Sequence, residues 1–149
     1  MAIARGAGTE IIRSHLVEAL DDTGTTLIFG VQHHIYTVLS IIVFATAVQT
    51  DRNYIQVRID GWDSYGGASA QQHKIFRQDM SAIQTFVWND KFSFNGMEPT
   101  GISGAMNTAA EQDAIADQGG SAVQSLVAIG EQGSDDFDIT TTFLDQNNA

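Results

Sequence analysis

Residues 54–62 alternate, with Ile55, Val57 and Ile59 on one parity and Gln56, Arg58 and Asp60 on the other. That period of two marks a strand with one buried face. The same reading extends along the chain. Residues 10–17 form a strand that ends at the turn signal Asp21-Asp22-Thr23-Gly24. A glycine-rich loop over 64–70 leads to a short strand at 73–78. Residues 85–94 place Phe86, Trp88, Phe92 and Phe94 on one parity, with Asn89-Asp90 as a bulge or turn between them. Residues 122–129 and 137–144 are expected to form an antiparallel pair across 130–136.

The most apolar run, TLIFGVQHHIYTVLSIIVF at 26–44, resembles a membrane span in length alone. Gln32, His33 and His34 interrupt it near the middle, and no basic flank marks an inside end. Its Ile, Val, Thr, Tyr and Phe residues favour pleated backbone. It is therefore predicted as two strands, 26–31 and 35–48, with a bend or bulge at 32–34. In the second strand both parities are apolar: Ile35, Leu39, Ile41 and Val43 against Tyr36, Val38, Ile42 and Phe44. Such a strand is expected to be covered on both sides, within the domain or at a subunit contact.

One segment departs from the β pattern. Thr108 and Glu111 have capping-box spacing and Gly119 offers a stop, predicting a short helix over about 108–118 within an insertion at 96–120. The fold class expected is all-β, a jelly-roll-like antiparallel β-sandwich of about eight strands carrying that one helix. Residues 1–8 are expected as a flexible N-terminal arm and 9–149 as a single β-sandwich domain.

Composition narrows the function classes. The chain has 149 residues, 43% of them hydrophobic, with no cysteine and therefore no disulfide or thiolate chemistry. Residues 1–91 contain all seven Lys and Arg against nine acids, whereas 92–149 contain nine acids and no Lys or Arg. A chain with net charge −11 repels phosphate backbones and anionic lipid, so neither nucleic acid nor membrane is expected as a partner. The start, MAIARGAG, lacks the apolar core of a secretory signal, so synthesis in the cytoplasm is expected.

Candidate chemistry is sparse. His33 and His34 are adjacent, so in an extended chain they diverge to opposite faces and do not converge on one ion. They read instead as polar residues at a bend or subunit contact. Asp21-Asp22 and Asp135-Asp136-Phe137-Asp138 lack the calcium-loop spacing and read as solvated turns. No G-x-S-x-G elbow, Walker loop or H-E-x-x-H helix occurs. The expectation is no enzyme, no catalytic residue, no metal and no cofactor. Trp62 and Tyr65 could stack on sugars, and Trp88 is read as a core or interface residue.

From Gln84 onward the chain reads QTFVWNDKFSFNGMEPTG, then a variable stretch, then FDITTTFLDQNNA. Trp88, Asp90, Lys91 and Phe92, followed by Ile139, Thr141 and Phe143, resemble the C-terminal half of small virion proteins of tailed bacteriophages. GTEII, the 26–47 run and NYIQVRIDGWDS resemble their opening strands, so the likeness spans nearly the whole chain. It departs at 95–99, where Asn-Gly-Met-Glu-Pro replaces the usual Gly-Asp. The resemblance implies a jelly-roll accessory protein of the virion, made in the host cytoplasm. That protein would be a capsid decoration (cement) protein binding and stabilising the outer capsid surface, with a neck or tail component or a carbohydrate-binding adhesion module as alternatives. Its implied partners are further copies of itself, as a homotrimer, and the major capsid protein or another virion protein. Contact residues expected on this view are Ala2, Ile3, Ala4, Arg5, Gly6, His33 and His34.

Overall fold

The computed structural model describes residues 9–101 and 104–147. Its period-two segments form two main antiparallel sheets. One takes β1 (Thr9–Leu20), β11 (Asp136–Asn147), β3 (His34–Ala47) and β6 (Thr85–Trp88) in that order, with β7 (Phe92–Asn95) also paired to β3. The other runs β2 (Thr25–Phe29), β10 (Ser125–Gly130), β4 (Asn53–Asp63), β5 (Ala68–Met80). Among the described residues β4 and β5 form the one hairpin within a main sheet, β6 and β7 follow each other along β3, and the remaining connections between main strands cross from sheet to sheet. With β6 and β7 counted as one interrupted strand, this is the eight-stranded order of a jelly roll. The fold is an all-β sandwich, as the alternation predicted.

Burial follows the inward parity. Ile55 and Val57 of β4, Leu126 and Ala128 of β10, and Phe137 and Ile139 of β11 are fully enclosed between the sheets. Trp88 stacks on Phe76 with ring centroids 5.2 Å apart, a packing role rather than an exposed one. The run at 26–44 supplies one strand to each sheet, and among the described residues no helix is long and apolar enough to cross a membrane.

Two expectations are corrected and a third is narrowed. β10 and β11 do not pair with each other: β10 lies between β2 and β4, and β11 between β1 and β3, so the two face each other across the core. Sequence proximity suggested a hairpin, but burying both apolar faces requires the chain to change sheets. The strand expected at 73–78 extends to thirteen residues, because β5 pairs with β4 well beyond its apolar stretch. Within the single chain, finally, β3 is covered on one face only, which leaves its second cover to a subunit contact. Its register against β11 shifts between Val38–Phe143 and Ser40–Thr142, leaving Leu39 as an extra residue. The bulge switches the inward parity from Tyr36 and Val38 to Ile41, Val43 and Ala45. Both parities are apolar partly for that reason, and partly because Ile35, Ile42 and Phe44 are exposed on the outside.

Residues 97–123 form the predicted insertion. β8 (Met97–Pro99) and β9 (Ser121–Val123) pair at its base, and α1 (Ala109–Asp117) carries the predicted capping box between Thr108 and Glu111. No helix residue is buried.

Candidate functional site: a groove between two open strand edges

Among the described residues β1 pairs only with β11, and β2 only with β10, so each ends its sheet on the same side of the sandwich. Between these edges lies a groove of about 510 Å³. Leu27, Ile28, Phe29 and Val31 form one wall, Tyr36 and Phe143 line the groove further, and Arg13 and His15 belong to β1. Phe29 is 71% exposed. Long edges carrying exposed apolar residues are usually blunted by charge or covered. Here Ile11, Ile12 and Leu16 of β1 are all exposed.

A buried carboxylate belongs to the same groove. Asp145 is 7% exposed. Its Oδ1 lies 2.5 Å from His34 Nδ1 and its Oδ2 lies 3.1 Å from Arg13 Nε. Both oxygens are therefore engaged. The Tyr36 hydroxyl donates to the Phe29 carbonyl at 3.1 Å. Burial, and next the nearby Asp145 charge, push the Tyr36 phenol above its ordinary value. Ser14 shares a hydrogen bond with Thr142 at 3.2 Å and does not complete a Ser-His-Asp arrangement.

His33 and His34 line different cavities, though through a left-handed turn at His33 rather than the alternation of an extended strand. His33 has a left-handed φ of 65° in the β2–β3 turn, and its N–H donates to Gln118 Oε1 at 2.5 Å. Gln32 Nε2 donates to the Asp117 carbonyl at 2.8 Å, so this turn secures the end of α1. Backbone segments converge beside it. A Cβ on Gly30 would collide with the Gln124 and Gly96 carbonyl oxygens, so glycine is required there. Ala2, Ile3, Ala4, Arg5 and Gly6, the expected arm contacts, lie outside the described residues.

Asp135 overturns the expectation of a solvated acidic turn. It is 4% exposed, and its carboxylate accepts from Gln49 N at 2.9 Å, Asn53 Nδ2 at 2.7 Å and Gln132 N at 3.0 Å. Sequence reasoning missed it because the run of acids resembles an ordinary turn. The signal available was Asn53, a polar residue at the start of an otherwise inward-facing strand.

Of the two sugar-stacking candidates, Tyr65 is 80% exposed, whereas Trp62 is partly buried and its indole N–H is enclosed without a hydrogen-bond partner. Among the described residues no group of three His, Cys, Asp or Glu is placed to hold a metal ion.

No family model matches this chain. No curated protein matches it either. Among solved structures, a chain of the disulfide-linked pili that form Bacillus endospore appendages aligns over 100% of this chain and 97% of that one, with a TM-score of 0.44 and 8% identity. A likeness that distant carries no argument about this protein.

Proposed function

We propose that this chain is a non-enzymatic structural protein of a tailed-bacteriophage particle, a decoration protein that binds and stabilises the outer capsid surface. The observation that carries the reading is the groove between β1 and β2. One wall is apolar, and among the described residues each flanking strand has one sheet neighbour. Such a site suits an extended protein segment, which adds main-chain hydrogen bonds to an open edge and places alternate side chains in the groove. Its ionic groups Arg13, His34 and Asp145 are bonded to one another, which suits packing against a partner better than turnover. A net charge of −11 favours a neutral or basic protein surface over nucleic acid. The phage context comes from the sequence resemblance.

The test is incorporation. Phe29→Asp places a carboxylate on the groove wall at a residue already exposed in the isolated chain. The variant is expected to fold normally and to be recovered in purified particles at a small fraction of the wild-type level. Undiminished incorporation would overturn the groove as the attachment site.

A further inference from the structure

The outer face of the β1–β11–β3–β6/β7 sheet is the second unpartnered surface, and its register allows its rows to be read across four strands. The central row is Ser14, Thr142, Ser40. On one side of it lies the row Leu16, Thr140, Ile42, Val87. On the other lies Ile12, Leu144, Thr37, Ser93. Beyond these are Asp138, Phe44, Thr85 at one end and Glu10, Gln146, Ile35, Asn95 at the other. Ile12, Leu16, Ile42, Phe44 and Val87 are all exposed, Ile12 to 65%. The three middle rows contain no ionisable side chain; acids enter at the outermost rows, and the exposed Asp90 and Lys91 of the β6–β7 link border the central row at the sheet edge.

We propose that this sheet face is a two-fold interface with a second copy of the chain, centred on the Ser14–Thr142–Ser40 row. A two-fold axis along that row, parallel to the sheet and perpendicular to its strands, superposes the two flanking rows from opposite copies. Ile42 then meets the partner copy's position 37, a threonine, and Val87 meets position 93, a serine. Leu144 meets position 140, a threonine, and Phe44 meets position 35, an isoleucine. Ile42, Val87 and Leu144 thus fall opposite small residues, which lets the two faces interdigitate at about 10 Å, while Leu16 meets the partner copy's position 12, an isoleucine, in an apolar contact like that of Phe44. Hydroxyl residues occupy the axis itself.

Charge selects the same partner. Two chains of net charge −11 repel through most of their surfaces, and an uncharged face is where like copies can approach. Area is sufficient. Four strands about 4.8 Å apart and about 30 Å of strand length outline roughly 550 Å² in projection. The corrugated accessible surface is larger, near the roughly 800 Å² per partner of a standard interface. The row symmetry specifies a two-fold, in place of the three-fold that the resemblance implies. The pairing does not depend on the virion reading: solution mass tests one and particle incorporation the other.

The test uses the full chain, which has no cysteine. Sedimentation equilibrium should give a dimer whose association strengthens with added salt, as rim repulsion is screened and apolar burial is reinforced. Thr142→Arg, which sets two guanidinium groups against each other on the axis, should give a monomer with unchanged circular dichroism and a melting temperature that no longer depends on protein concentration. Thr142→Cys treated with a short bis-maleimide should yield covalent dimer, and Thr23→Cys, at a distant turn, should not. A monomeric wild type, or a dimer that survives Thr142→Arg with equal cross-linking at both cysteines, would overturn the proposal. A monomer that binds capsid protein through this face would replace the second copy with a different partner.

Discussion

At the scale of single residues, this sandwich depends on a few buried polar groups that are either fully satisfied or conspicuously unsatisfied. Asp135 is the satisfied case, because its carboxylate accepts three N–H groups beneath the β3–β4 connection. Asp135→Ala orphans those donors, and each hydrogen bond to a charged acceptor contributes about 1.5–3 kcal/mol. With partial rehydration, a net loss of roughly 3 kcal/mol in urea unfolding is expected, well beyond that of Asp136→Ala. Thr141 is the opposite case. It is fully buried in β11 and its hydroxyl has no partner, so Thr141→Val removes an unsatisfied group at nearly constant shape. Equilibrium unfolding should show it stabilised by about 1 kcal/mol. Tyr36 gives the chain a pH dependence. Its phenol is held above the usual value of 10.0 by burial, with Asp145 adding to the effect. The folded state therefore favours the neutral form. Stability from this source is complete below about pH 10 and declines as pH rises further, because the unfolded chain ionises first. Tyr36→Phe should flatten that alkaline decline in a pH series of melting temperatures.

Among the elements, legibility in the sequence tracked how locally each was determined. Strands β1 to β4 and the turn at Asp21–Gly24 are visible in alternation and turn residues, since propensity and burial agree there. The capping box of α1 is visible because Thr108 and Glu111 are three residues apart and need no tertiary partner. Thr108→Ala should fray α1 by about 1 kcal/mol. The helix buries no residue, so hydrogen exchange should rise across 109–117 while the global melting temperature stays within about 1 °C. What the sequence concealed was long-range. The Leu39 bulge that reverses the inward parity of β3 shows only against the register of β11. The separation of β10 and β11 into different sheets depends on which strands lie between them. The groove was equally hidden, since Arg13, His34 and Asp145 come from strands at opposite ends of the chain. His34 was read as a polar residue at the bend, but it opens β3 and its carboxylate partner lies 111 positions away.

For the whole molecule, the jelly-roll order leaves two surfaces unpartnered among the described residues: the β1–β2 groove at one edge and the flat apolar face of one sheet. An isolated chain with both exposed has reason to assemble. Its surplus of acids keeps the remaining surface soluble and discourages indiscriminate contact. Assembly onto a particle is the central claim, and quantitative mass spectrometry of purified phage particles tests it most directly. The account predicts that this chain is present in a fixed ratio to the major capsid protein and survives washing and banding of the particles. Its absence from particles whose lysate contains the folded chain would contradict the account.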